Sequence, residues 1–238
     1  MKILLGLLTS PGSNWQAKIQ EIRELNLKEV AVFLTWLPIE QRKEFYELLK
    51  TTGIASIPLV HLRTKDGVDT EPWELDFFVQ NFGTKAFNAH PDNNGYAIIR
   101  NNPKYQPMIF VENLWGPELM KNFTSEYFEK NQTGGICLDF SHLETDRILF
   151  PEQYGQTIQM LEKYPIGCNH IGGIRNNIFF RLLGSGRGIS RHKTKKLSHF
   201  DYLKHFPRNY FSPIISLELE NSFREQLGIK RYIEGFIN

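Results

Sequence analysis

The feature that most limits how this chain can fold is a recurrence of short apolar or β-branched runs, separated by stretches of helical periodicity. Runs at about 3–8, 29–35, 56–62, 85–90, 107–112, 135–140, 166–171 and 212–219 read as strands. Between them, Trp15 to Leu25 carries Ile19, Ile22 and Leu25 on one face, and Ile39 to Leu49 carries Phe45, Leu48 and Leu49 after Pro38. Glu71-Pro72 opens a third helix and Gly116-Pro117 a fifth; Pro151 lies within or opens a sixth, and Ser222 caps the last before Phe223. The fourth, after His90, reads as short and interrupted by Asn93-Asn94-Gly95 and Asn101-Asn102-Pro103. The connection from the seventh strand to the eighth is long, with Gly172, Gly173, Gly184, Gly186 and Gly188 breaking any extended helix, and loops of that length are usually functional or disordered. Strand followed by helix, eight times, makes a parallel sheet that closes on itself. The expectation is an α/β fold, a single (β/α)8 barrel over residues 1–238 as one domain.

Length and composition agree with that reading. The 238 residues approach the ~250 typical of such a barrel. An apolar share of 41% against 23% charged belongs to a chain that buries a core rather than a disordered one. Lys2 and the run Ile3-Leu4-Leu5-Gly6-Leu7-Leu8 look like a short export signal, but no Ala-x-Ala site follows, so the run is read as the first strand. No apolar run is long enough for a membrane span. Cys137 and Cys168 are too few for a disulfide framework and form no Cys-x-x-Cys pair; a reducing, cytoplasmic setting is the expectation. The net charge of +2 hides an asymmetry. From Lys163 to Phe200 there is no acid, while Lys163, Arg175, Arg181, Arg187, Arg191, Lys193, Lys195 and Lys196 are all positive, so the remainder is net acidic. That segment suits either an anionic partner such as a phosphate or a solvated basic loop.

The placement of the polar residues carries the functional reading. Strands buried on both faces exclude acids and histidines unless these are paired or liganding. Here they fall at strand ends: His61 in the third, His90 in the fourth, Glu112 in the fifth, Asp139 and His142 in the sixth, His170 in the seventh, Glu218 and Glu220 in the eighth. Barrel active sites are assembled at these C-terminal ends. A lone strand-end histidine is usually a satisfied core or loop residue. Six successive strands ending this way point to a shared centre. Carboxylate oxygens with imidazole nitrogens suit Mn²⁺, Zn²⁺, Mg²⁺ or Co²⁺. The cysteines lie two residues before Asp139 and His170, on the same interior face but one layer deeper, and are read as small core residues.

Asp139-x-x-His142 after an apolar strand, His170 followed by Ile171-Gly172, and Ile215-Ser216-Leu217-Glu218-Leu219-Glu220-Asn221 together resemble the xylose-isomerase-like barrel superfamily, which holds sugar isomerases, epimerases and apurinic endonucleases. The resemblance implies that Glu112, Asp139, His170 and Glu218 are metal ligands, with Glu112 and Glu218 also moving protons on opposite faces of a sugar. It implies a substrate contact or metal ligation for His142, and a second metal for His61 and His90 sharing Glu112. A third site there needs Asp-x-His; Ser190-Arg191-His192 supplies the histidine and lacks the aspartate. Glu220 competes with Glu218 because both are placed on one strand face, and Glu218 is preferred by the family pattern. Trp36 and Trp115 are candidates to pack on a sugar face or to anchor loops, and Arg175 is a candidate substrate contact.

The leading expectation is a metal-dependent isomerase or epimerase of a small carbohydrate or polyhydroxy compound, phosphorylated or not. Its alternatives are a phosphodiester hydrolase like the apurinic endonucleases and a non-catalytic metal-binding barrel. Nucleic acid is the less favoured partner, since the net charge is modest and the chain compact. Members of the superfamily are often dimers or tetramers, which leaves a homo-oligomer open.

Overall fold

The computed structural model describes residues 1–63, 70–175 and 189–237. The first strand, β1, runs in two segments, Lys2–Leu4 and Gly6–Leu8. It is followed by β2 (Ala31–Phe33), β3 (Leu59–His61), β4 (Ala86–Ala89), β5 (Ile109–Glu112), β6 (Gly135–Asp139), β7 (Ile166–Ile171) and β8 (Ile214–Leu217). Every pairing in this sheet is parallel, and each strand neighbours the next in sequence. The two segments of β1 close it: Lys2–Leu4 pairs with β8 and Gly6–Leu8 with β2. The chain is thus an α/β protein with a closed eight-stranded parallel barrel. The N-terminal run read as a strand is one.

Closure requires a glycine at the junction. A methyl group on Gly6 would overlap the carbonyl oxygen of Leu217, so only glycine lets β1 come this close to β8. The seam is stitched by two polar side chains inside an otherwise apolar layer. Gln226 accepts from Gly6 N at 2.7 Å and donates to the carbonyls of Gly6, Leu219 and Asn221. Lys18 Nζ donates to the Gly6 and Leu219 carbonyls at 3.1 and 2.8 Å.

The helices follow their sequence signals with two corrections. α1 (Trp15–Glu24) is capped by Asn14, whose side chain accepts from Ala17 N; α2 is Ile39–Lys50 and α3 is Pro72–Phe82. α4 (Asn93–Asn101) is not interrupted by Asn93-Asn94-Gly95, because those residues are its first turn. Asp92 accepts from Gly95 N at 2.7 Å, and Gly95 lies so close to the His90 carbonyl that a side chain would collide with it. Beyond α5 (Pro117–Met120) and α6 (Ser125–Asn131), the sixth strand ends at Asp139 rather than at residue 140. Phe140 starts α7 (Phe140–Leu149), and Pro151 opens a second helix, α8 (Pro151–Lys163). The apolar Phe140 continues the strand pattern in sequence, yet its ring packs on Phe206 and Phe211 at 5.2 and 4.5 Å. The chain ends in α9 (Phe223–Ile237).

Two apolar layers result. A large cluster joins helices to the outside of the barrel, and a small one fills its interior with Leu4, Leu8, Ala31, Phe33, Leu59, Ala86, Cys137 and Cys168. The cysteines face each other across β6 and β7 and are buried and unbridged. Above this plug the interior turns polar. The β7–β8 connection forms a short antiparallel hairpin, Gly173–Ile174 with Ser190–Arg191, and 3-10 turns at Leu197–His205 and Arg208–Tyr210. Arg181, Arg187, Gly184, Gly186 and Gly188 lie outside the described residues. Among the described residues, no helix is long and apolar enough to cross a membrane.

Burial pulls the Lys18 ammonium down to about 7, against the opposing charges of Glu21 and Glu220. Between pH 7 and the lysine range near 10, the unfolded chain holds this proton and the folded chain does not, so folding stability rises with pH. Chemical denaturation should show wild-type protein gaining on the order of 1 kcal/mol per pH unit from pH 7 to 9 relative to Lys18→Met. Parallel stability curves for the two proteins would refute the assignment.

Candidate metal centre

Four strands deliver four side chains to one point at the C-terminal mouth. Glu112 ends β5, Asp139 ends β6, His170 lies one residue from the end of β7, and Glu218 follows β8 directly. Register brings them level: Asp139 stands beside His170, and Ser216 of β8 stands beside His170 on its other side. Each offers a ligand atom, and these four atoms lie within 4.8 Å of one another. His170 Nδ1 is 3.5 Å from Glu112 Oε2 and 3.6 Å from Glu218 Oε2. The Phe33 ring forms a floor, 5.0 Å from the His170 ring and 5.7 Å from that of His61.

The carboxylates are held by designated donors. Asn88 Nδ2 donates to Glu112 Oε2 at 2.6 Å. Asp139 caps α7, its Oδ1 accepting from His142 N at 2.8 Å and Ser141 Oγ at 2.7 Å. Asn113 grips the Asp139 backbone from the next strand, accepting from its N–H and donating to its carbonyl. Burial pushes the Glu112 carboxyl up, but His170 and His61 outweigh that and hold it well below the ordinary glutamate range, so it is an anion.

The donor set fits a divalent cation. Asp139 Oδ2 and both ring nitrogens of His170 are buried and make no hydrogen bond among the described residues. Buried polar atoms are rarely left this way unless an ion or water meets them. Three carboxylates and one imidazole converge, and a dication offsets charges that would otherwise repel in a dry pocket. Ligand atoms about 2.0–2.2 Å from a common ion lie within roughly 4.4 Å of each other, slightly inside the 4.8 Å that bounds the four atoms here.

A second group shares Glu112. The ligand atoms of His61, His90 and Glu112 also lie within 4.8 Å of one another. His61 Nδ1 donates to the Leu62 carbonyl at 2.8 Å, and its Nε2 lies 3.2 Å from Glu112 Oε2. His90 Nε2 is 3.8 Å from the same oxygen. A third group joins Glu112 and His170 to the sulfur of Cys137, the residue read from sequence as core.

The remaining candidates are placed differently. His142 Nδ1 donates to the Asn113 carbonyl at 2.9 Å and lies 3.5 Å from Glu112 Oε1, beside the centre rather than within any ligand group. The charges of Asp139 and Glu112 raise its ring above the usual histidine value against the opposing effect of burial. His192 Nδ1 faces the Glu218 carbonyl at 3.2 Å and its Oε1 at 3.7 Å, and burial, with His142 nearby, lowers its ring. Glu220 does not share a strand face with Glu218, because β8 ends at Leu217 and alternation ends with it. Its carboxylate accepts from Ser10 Oγ at 2.9 Å, on the side of β1. Trp36 is exposed at the rim, whereas Trp115 stacks on Phe150 at 6.4 Å. Arg175 lines a basic recess with Arg191, Lys193, Lys196 and His199. Sequence reasoning passed over Asn88, Asn113 and Asn169. Their signal was present: an amide inside an apolar strand must find buried partners. Asn169 finds the Tyr210 carbonyl and Ser212 N.

Fold and site together define a (β/α)8 barrel with a carboxylate–imidazole centre suited to a divalent ion. No protein-family model matches the chain, and no curated protein matches it. Among solved structures, orotidine 5'-monophosphate decarboxylase from Sulfolobus solfataricus is 13% identical over the whole of both chains, with a TM-score of 0.45. SacUVDE is 11% identical over 98% of this chain and 99% of its own, at 0.49. An HpcH/HpaI aldolase from Desulfitobacterium hafniense DCB-2 is 11% identical over 98% and 92%, at 0.37. Likeness at this level says nothing of chemistry, and the barrel assignment rests on strand order and register.

Asp139→Asn keeps the Oδ1 cap of α7 and removes one charge from the cluster. Metal-free, it should be as stable as wild type or more so, because a buried anion is lost. Mn²⁺ at a hundredfold excess over its Kd should stabilise wild type by about 2.7 kcal/mol, and the variant far less. Equal metal-induced shifts in thermal unfolding would exclude Asp139 as a ligand.

Proposed function

We propose that this protein is a divalent-metal-dependent isomerase or epimerase of a small carbohydrate or related polyhydroxy compound. The reading is carried by the two glutamates of the cluster, Glu112 and Glu218, brought by strands three places apart around the rim to one buried point with Asp139 and His170. A divalent cation held by these four residues would polarise adjacent carbonyl and hydroxyl oxygens and acidify the neighbouring C–H. The chain's own residues supply the rest. Glu218 is the more exposed of the two, at 13% against 1% for Glu112, and is the carboxylate open to a substrate entering from the mouth. It takes the proton, and Glu112 serves as the opposed carboxylate that returns one. Asn88 and the rings of His61 and His170 keep Glu112 ionised and fixed in place. His142, its Nδ1 committed to the Asn113 carbonyl, has Nε2 left for a substrate oxygen.

Glu112→Gln and Glu218→Gln test the assignment. Each should lower isomerisation by roughly 10²–10⁴ and abolish exchange of solvent deuterium into the substrate, read by NMR, while far-ultraviolet circular dichroism stays native. Undiminished turnover in both variants would sink it.

One observation favours a second reading, phosphodiester hydrolysis. His61 Nε2, His90 and Glu112 offer a second place for an ion beside the first. Elemental analysis of metal-loaded protein should then give two ions per chain, falling to one in His61→Ala. A single ion in wild type leaves the enolising reading alone.

A further inference from the structure

Part of the basic run between β7 and β8 gathers around one recess. Arg175, Arg191, Lys193, Lys196 and His199 converge on a recess of about 390 Å³, and no carboxylate lines it among the described residues. Two guanidinium and two ammonium groups around one recess make it a place of positive potential that favours an anion. His199 registers this field: its ring is lowered first by burial and then by Lys196, Arg175 and Arg191. The donors are pre-positioned. Thr194 Oγ1 accepts from Lys196 N at 3.2 Å and lies 2.7 Å from His199 Nδ1. Thr194 N is fixed in turn by Asn221 just past β8, at 3.1 Å.

The recess is also joined to the metal centre. Arg191 sits in the hairpin opposite Gly173. Ser190, beside it, donates to Ser141 Oγ at 3.3 Å, and Ser141 donates to Asp139 Oδ1 at 2.7 Å. His192, on its other side, reaches the Glu218 carbonyl. A ligand spanning from cluster to recess would cross this hairpin.

We propose that this recess binds the phosphate group of a small phosphorylated substrate whose reacting carbons lie at the Glu112–Asp139–His170–Glu218 cluster. The inference rests on the isomerase reading and names its substrate class. Guanidinium and ammonium donors match phosphate oxygens through charge-assisted hydrogen bonds. One compact pocket on a chain of net charge +2 suits a single phosphate group better than a polynucleotide, which needs an extended basic footprint.

Isothermal titration of inorganic phosphate into the metal-loaded protein tests it. Lys193 and Lys196 are exposed, so Lys193→Gln/Lys196→Gln should fold normally and bind phosphate at least tenfold more weakly. Lys195→Gln removes the same type of charge outside the recess, where Lys195 pairs with Glu225 at 2.8 Å, and should bind as wild type does. Titration of a sugar phosphate and of the unphosphorylated sugar should show the double variant weakening only the first. Phosphate affinity equal in all three proteins would mean that the anion sits on the metal alone and would overturn the proposal. So would an oligonucleotide that binds more tightly than the sugar phosphate, with a steep salt dependence lost in the double variant. None of these readouts requires turnover. Phosphate binding in a protein that isomerises nothing would therefore uphold the recess while removing the reading beneath it.

Discussion

Three carboxylates and an imidazole meeting in a nearly dry barrel mouth is the arrangement on which the rest of the structure depends. Buried like charges at this spacing repel by several kcal/mol even at an effective dielectric near 20. Such a grouping persists only if something positive enters it. At the cluster the carboxylates meet histidine rings and neutral amides. Among the described residues, Arg175, Arg191, Lys193 and Lys196 line the recess beyond the hairpin, buried Arg42 pairs with Glu74, and Lys18 is spent on the β1–β8 seam. The site is therefore built as an anionic cavity, with neutral amides orienting the acids. Asn88 and Asn113 fix Glu112 and Asp139 without neutralising them.

The scaffold explains how residues more than a hundred positions apart reach one point. Strand register sets the height of each side chain, and closure sets the last of them. Gly6 admits the Leu217 carbonyl, and Gln226 and Lys18 grip the backbone on both sides of the junction, so the turn that carries Glu218 is held against β1. A side chain at position 6 would push β8 outward and move Glu218 with it. The distance between Glu112 and Glu218 is thus decided partly by a glycine far from any chemistry.

Much of this was legible in the sequence because a barrel writes its plan in one dimension. Short apolar or β-branched runs marked all eight strands, and the acids and histidines closing the third to the eighth pointed to the cluster. What was illegible depended on contacts that no pattern records. The start of α7 was missed because Phe140 is apolar like the strand before it, and the cap that ends the strand is the same Asp139 already assigned to the metal. The separation of Glu218 from Glu220 was missed because alternation was extended three residues past the end of β8. The buried asparagines were passed over because an amide announces a partner without naming it. The basic run showed its charge, whereas its convergence on one recess depends on the hairpin pairing Arg191 with Gly173.

Glu112 is the vertex of the whole arrangement, belonging to every group of potential ligands, and its neighbours decide whether protons or metal ions complete the site. A proton could bridge His61 Nε2 and Glu112 Oε2 at 3.2 Å, forming one buried ion pair. It could not also satisfy His170. That ring faces two carboxylate oxygens from the single atom Nδ1, at 3.5 and 3.6 Å, beyond good hydrogen-bond length, while Nε2 meets no acceptor among the described residues. Asp139 Oδ2 would be left bare as well. Protonation thus relieves one contact and leaves the others unmet. An ion among Glu112, Asp139, His170 and Glu218 draws on all four at once, and that difference favours metal over protons as the positive charge the cavity is shaped to receive.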